Sequence, residues 1–104
     1  MQPRLSVLLA ALMLAAAGEG WAEVQPDAAT LLVTKTQAHS ICLITTDTLP
    51  PTQVRRIAAQ FLADQGISPR QRQAVQGDPR FRNLLQTYIQ ERGGCRGLVE
   101  ALMP

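Results

Sequence analysis

The chain is poor in the side chains that carry out chemistry. Its 104 residues include one histidine and two cysteines, and aromatic residues make up 4%. Tetrahedral zinc takes three or four protein ligands, and His39 has no second histidine to join it. The cysteines form neither a C-x-x-C pair nor a C-x-x-C-H haem attachment motif. Glycine-rich phosphate loops and a G-x-S-x-G elbow are also missing. We therefore predict no cofactor, no metal ion and no enzymatic activity.

Paired carboxylates and nucleic-acid-binding features are equally scarce. The acidic residues are scattered, and no spacing suggests two carboxylates facing each other in one cleft. The net charge of +2 is too small to steer a charged partner. Beyond the N-terminal segment the aromatic residues are Phe61, Phe81 and Tyr88, and each falls on an apolar helix face. Because stacking aromatics are the usual platform for bases, we predict no nucleic-acid partner.

The one long apolar run lies at the N-terminus. After a short basic start, Leu5–Ala17 contains thirteen mostly apolar residues, which are too few to cross a bilayer core of about 30 Å as a helix. Gly20 and Ala22 then occupy the small −3 and −1 positions of a signal-peptidase site. The pattern predicts a secretory signal peptide over residues 1–22, with Ala17 as an alternative cleavage site. We expect a periplasmic or extracellular protein without a membrane span in its mature chain.

Residues 23–104 are predicted to form a single small domain. A domain of about 80 residues buries only about 60–65% of its unfolded surface, so exported domains of this size often add a disulfide. Cys42 and Cys95 are more than fifty residues apart, and each lies beside an apolar segment. We predict that they form a structural disulfide.

A different use of the same residues is also compatible with the sequence. His39 and Cys42 form an H-x-x-C motif, which a helix would present on one side, and Cys95 could add a third ligand or a redox partner. The alternative prediction is therefore a thiol-redox or metal-handling protein that uses Cys42, Cys95 and His39.

The stretch Gly77–Cys95 has the clearest helical pattern in the chain. Asp78 is a suitable N-cap, Pro79 suits the first helical position, and Gly93 with Gly94 supplies a left-handed stop. Apolar residues recur at i, i+3, i+4, i+7 and i+8, namely Phe81, Leu84, Leu85, Tyr88 and Ile89. We predict that this helix is the scaffold on which the other segments pack.

Three further helices are predicted from caps and periodicity. The first, Pro50–Gln65, ends at Gly66 in a Schellman-type stop, and its apolar stripe consists of Val54, Ile57, Ala58, Phe61 and Leu62. Ser68–Gln71 reads as a capping box with proline at N1, which opens a short helix through Gln76. Leu98–Met103 has helical spacing but is short enough to need support from a core.

The segment Ala28–Thr46 is compatible with two structures. As a helix capped by Asp27 it places apolar residues roughly on one face, namely Leu31, Leu32, Ala38, Cys42 and Leu43. As a hairpin, residues 30–46 offer two Thr-, Val- and Ile-rich strands around a turn without glycine, asparagine or proline. We favour the helix. The predicted fold is an all-α bundle of four to five short helices with one disulfide, and the alternative is an α+β fold.

The one local charge feature is a set of four arginines within thirteen residues. Arg70, Arg72, Arg80 and Arg82 could form a basic face for an acidic protein or an anionic surface, but we favour the simpler interpretation that they lie on the solvated faces of two consecutive helices. Together these features predict an exported, disulfide-stapled helical protein that acts by binding rather than by catalysis.

Overall fold

The computed structural model describes residues 27–103, which fold into five α-helices. They are α1 (Ala28–Thr45), α2 (Pro51–Asp64), α3 (Pro69–Gln76), α4 (Phe81–Glu91) and α5 (Gly94–Leu102). No strand occurs within residues 27–103, so the predicted all-α fold is confirmed and the alternative hairpin over residues 30–46 is wrong. The predicted signal peptide, residues 1–22, lies outside the described residues.

Helix α1 is the centre of the bundle, because it contacts each of the other four helices. The prediction that α4 is the scaffold is therefore wrong. The reason is visible in the sequence of α1, whose single charged residue is Lys35 and whose apolar residues are spread around the helix. A helix that is apolar on all sides is suited to a position between neighbours, whereas an amphipathic helix such as α4 packs with one face.

The apolar face predicted for α1 is only partly correct. Ala38 and Cys42 are fully buried, but Leu31 is 50% exposed. Thr34 and Thr36 are buried in addition, although they are polar. Because α1 has neighbours on several sides, burial along it follows no single helical stripe, and periodicity alone could not identify the buried residues.

Both ends of α1 are closed by local hydrogen bonds. The Asp27 carboxylate accepts a hydrogen bond from the Thr30 N–H at 2.7 Å, as predicted for an N-cap. At the other end Asp47 adopts a left-handed conformation with φ 54°. The Thr48 N–H then donates to the carbonyl oxygen of Leu43 at 3.0 Å, which completes a Schellman-type ending.

The predicted C-terminal stop of α2 and the predicted N-terminal cap of α3 are confirmed. Gly66 has φ 80°, and the Ile67 N–H donates to the Leu62 carbonyl at 2.9 Å, as in a Schellman motif. The Ser68 hydroxyl accepts from the Gln71 N–H at 3.1 Å, and the Gln71 side chain accepts from the Ser68 N–H at 2.9 Å. These reciprocal bonds are the capping box that starts α3.

The predicted start of α4 is wrong. The helix begins at Phe81, and Asp78 closes a turn in front of it. The Asp78 carboxylate accepts from the Arg80 N–H at 2.8 Å and pairs with the Arg80 guanidinium at 2.9 Å. These charge-assisted bonds compete with N-capping, because they hold the carboxylate over Arg80. At the far end Gly93 and Gly94 have φ 85° and 77°, which confirms the predicted left-handed stop.

Helix α5 follows α4 after a two-residue turn and is joined to α1 by a disulfide. It begins four residues earlier than predicted, and Cys95 in its first turn is bonded to Cys42, with the two Cα atoms 4.9 Å apart. One cluster of the core contains this bond. Ala38, Cys42 and Leu98 are the fully buried members of the cluster, and the half-buried residues Leu85, Tyr88, Ile89, Cys95 and Val99 pack against them.

Candidate binding groove between the first two helices

An apolar groove of about 420 Å³ lies between α1 and α2. One wall consists of the α1 residues Lys35, Thr36, His39, Ser40 and Leu43. The other wall consists of the α2 residues Val54, Ile57, Ala58 and Phe61, and Leu102 from the end of α5 completes the lining. Because residues 46–50 join α1 to α2 in a short connection, the two helices pack as an αα-hairpin and the groove follows their seam.

The apolar stripe of α2 serves both the core and the groove. Val54, Ala58 and Leu62, spaced four residues apart, are only 2–5% exposed. Ile57 and Phe61, also spaced four apart, are 50% and 40% exposed and line the groove. The predicted apolar stripe of five residues is therefore buried along its first row and only partly covered along its second. The stripe is wider than the α1 surface that covers it, so one edge remains open to solvent.

The α1 wall contributes the ionisable groups. Lys35 and His39 are the only lysine and the only histidine of the chain, and they lie one turn apart on α1. None of the described residues that line the groove is acidic. The groove is therefore apolar, with the positive charge of Lys35 on its α1 wall. The sequence suggested His39 only as a partner of the cysteines, in a thiol-redox or metal-handling site. It did not identify Lys35, which belongs to no recognisable motif.

His39 connects the groove to α4. Its Nε2 atom lies 3.3 Å from the hydroxyl oxygen of Tyr88, and the two rings are tilted against each other with centroids 5.9 Å apart. The Arg92 guanidinium stacks on the Tyr88 ring, with its central carbon 3.4 Å from the ring centroid. Burial lowers the pKa of His39, and the nearby positive charges of Lys35 and Arg92 lower it further.

The sequence-predicted cysteine site is a closed disulfide. Cys42 is fully buried and bonded to Cys95, and the Thr45 hydroxyl lies 3.7 Å from the Cys95 sulfur. His39 is one turn from Cys42 but contacts Tyr88 instead. Within the described residues no group of three or more histidine, cysteine and acidic side chains is arranged to hold a metal ion.

The four arginines of the predicted basic face occupy different surroundings. Arg70, Arg80 and Arg82 are exposed, whereas Arg72 is half-buried in a shallow hollow between α2 and α3. The guanidinium of Arg80 is paired with Asp78, and this hydrogen bonding holds the pKa of Asp78 at about 2. The charge of Arg80 is therefore partly neutralised inside the chain. A basic binding face formed by these residues stays a prediction.

Neither a membrane-spanning helix in the described residues nor a similar protein points to a function for this chain. Within residues 27–103 no helix is long and apolar enough to cross a membrane. Searches against protein-family models, curated proteins and solved structures found no match to this chain. Function is therefore inferred from the sequence and from the geometry of the groove.

Proposed function

We propose that this protein is an exported, disulfide-stapled helical protein that binds a partner through the groove between α1 and α2. The observation that carries the proposal is the exposure of Ile57 and Phe61 beside each other in an apolar groove. Single exposed apolar residues are common on protein surfaces, but a concave apolar surface with few polar groups is typical of binding sites. Covering it would remove two large side chains from water.

The disulfide holds one wall of the groove in place, which favours binding. The Cys42–Cys95 bond ties α5 to α1, and α1 supplies one wall of the groove. A wall held in place before binding reduces the conformational entropy that is lost when a partner docks. The predicted signal peptide and the disulfide both agree with an oxidising compartment outside the cytoplasm.

The alternative thiol-redox function has weaker support. Redox-active cysteines are at least partly exposed, because their thiolate must reach a substrate. Cys42 is fully buried in the core, next to Ala38 and Leu98. Its partner Cys95 is half-buried but lies 53 positions away in sequence, unlike the C-x-x-C pairs typical of redox sites. We therefore assign the cysteine pair a structural role in this proposal and place the functional surface at the groove.

Site-specific photo-crosslinking in the native compartment tests the proposal. A photoreactive residue is placed at Phe61, inside the groove, and at Thr52, which is exposed on α2 but outside the groove. We expect a discrete crosslinked protein at position 61 and none at position 52. Equal crosslinking at both positions, or none at position 61, would contradict the proposed function.

The captured protein is then purified and its affinity measured directly. We expect Ile57→Asp to weaken binding at least about tenfold, because a charge in an apolar contact is costly. Thr52→Asp adds the same charge outside the groove and should leave the affinity unchanged. Far-UV circular dichroism of both variants confirms that the helices are retained. An Ile57→Asp variant with wild-type affinity would show that the partner binds elsewhere.

A further inference from the structure

The length of the groove matches a short helix. Its α1 wall runs from Lys35 to Leu43, two positions eight residues apart in sequence, which a helix separates by about 12 Å at 1.5 Å per residue. The α2 wall, from Val54 to Phe61, is of similar length. Two turns of a bound helix cover the same distance and present apolar residues at i, i+4 and i+7 on one face. Amphipathic helices commonly bind by laying their apolar face into a hydrophobic groove.

The open side of the groove limits what can occupy it. Ile57 and Phe61 are 50% and 40% exposed, so an occupant lying on them keeps its outer face in water. An amphipathic helix meets this condition, because its second face is polar. A lipid chain has no polar face, and one side of it would remain exposed in this groove. The geometry therefore favours a helix over a lipid-like ligand.

The charge on the α1 wall specifies the sign of the partner. Lys35 is exposed at the rim of the groove, whereas His39, one turn further along, is half-buried and favoured in its neutral form. None of the described lining residues carries a negative charge that would neutralise Lys35. Complementary charges at an interface rim select partners and orient them. A carboxylate of the partner, next to the apolar anchor residues that cover Ile57 and Phe61, would form an ion pair with Lys35.

We infer that the partner presents an amphipathic helix with an acidic residue at one end of its apolar face, which pairs with Lys35 while the anchors cover Ile57 and Phe61. This inference rests on the proposed function and specifies the class of ligand for the same groove. An acidic lipid-like amphiphile shares part of this chemistry, and the experiment below separates the two.

A displayed library of helical peptides tests the inference. Each peptide is about 16 residues long, with leucine fixed at i, i+4 and i+7 and with Glu, Lys, Gln and Ser varied elsewhere. The baits are the oxidised wild-type protein and its Lys35→Glu, Arg56→Glu and Ile57→Asp variants. We expect wild type to enrich peptides with Glu near one end of the leucine face, and Lys35→Glu to enrich Lys there. Arg56→Glu, a charge reversal on an exposed residue outside the groove, should select like wild type.

The affinity of the most enriched peptide gives a quantitative check. By fluorescence anisotropy we expect Lys35→Glu to weaken binding about threefold to tenfold, as for a rim charge, and Ile57→Asp to weaken it more. Dodecanoate is titrated in parallel as the lipid-like probe. Peptides enriched without a charge preference, enrichment that survives Ile57→Asp, or a groove that binds dodecanoate but no peptide would overturn the inference.

The two proposals fail in distinguishable ways. If Phe61 captures a partner whose binding depends on Ile57 but the library yields no peptide, the helix inference is wrong and the proposed function stands. If Phe61 captures no partner and neither peptide nor dodecanoate binds, both are wrong.

Discussion

The Tyr88 hydroxyl lies 3.3 Å from the Nε2 atom of His39, and this contact joins α4 to α1 at the edge of the groove. The central carbon of the Arg92 guanidinium lies 3.4 Å from the centroid of the Tyr88 ring, and the guanidinium donates to the Tyr88 carbonyl oxygen at 3.1 Å. The histidine is therefore half-buried with cationic groups nearby, and the folded structure favours its neutral form.

Stability should depend on pH through His39. Burial lowers its pKa in the folded protein below the usual value of about 6.5, so the unfolded chain binds the proton more readily. The stabilisation is complete above that value and is lost as the pH falls through the lowered pKa. We expect the urea concentration at the unfolding midpoint to decrease as the pH is lowered from about 7.5 to about 5. The His39→Gln variant should show a smaller decrease.

Two acidic groups provide the control for this measurement. The pKa values of Asp27 and Asp78 are lowered by hydrogen bonds to Thr30 and Arg80, so their protonation affects stability only below about pH 5. They do not contribute in the window assigned to His39. A pH dependence that is identical in wild type and His39→Gln would contradict the prediction.

Removing the disulfide should destabilise the fold strongly. Cys42 and Cys95 are separated by 53 positions, and a closed loop of that length stabilises a protein by about 4 kcal/mol in the chain-entropy model. We expect the double variant Cys42→Ala/Cys95→Ala, and the reduced wild type, to lose a comparable part of their free energy of unfolding in urea titrations. Reductant should have no effect on the double variant. Equal midpoints for oxidised and reduced wild type would disprove the structural role.

Two leucines one turn apart on α5 should differ in their contribution to stability. Leu98 is 1% exposed and packs on Ala38 and Cys42, whereas Leu102 is 41% exposed and lines the groove. Leu98→Ala should cost about 2–5 kcal/mol because it opens a cavity in the core. Leu102→Ala should cost less than about 1 kcal/mol, since much of its surface is already in water. Equal losses in thermal or urea unfolding would show that the groove residue is part of the core.

A glycine inside α5 should resist substitution. A Cβ atom at Gly97 would collide with the carbonyl oxygen of Arg92, which belongs to the backbone and cannot turn away. We expect Gly97→Ala to destabilise the protein by about 2–3 kcal/mol, as for overpacked sites. Gly66→Ala is the comparison, because that position has φ 80° and no atom within 4 Å of the added Cβ. It should cost only about 1–2 kcal/mol from backbone strain. A loss of stability for Gly97→Ala that is smaller than the loss for Gly66→Ala would contradict the close approach of Gly97 to the Arg92 carbonyl.

Much of the secondary structure was predictable because its signals are local. The capping box at Ser68, the stop at Gly66 and the N-cap at Asp27 each depend on residues a few positions apart, and all three form as predicted. The pairing of Cys42 with Cys95 was also predictable, because the chain contains no other cysteine. Asp78 shows the limit of this approach, because an equally local competitor, the side chain of Arg80, occupies its carboxylate.

The sequence by itself determined the capped ends of several helices and which cysteines join, because caps and cysteine count are properties of neighbouring residues or of composition. Only the tertiary structure decided that α1 is the central helix and that Ile57 and Phe61 line an open groove. A helical stripe shows which residues avoid water, but it does not show how much of that stripe another helix covers. That coverage depends on where distant segments pack, and here α1 and α5 leave one edge of α2 exposed.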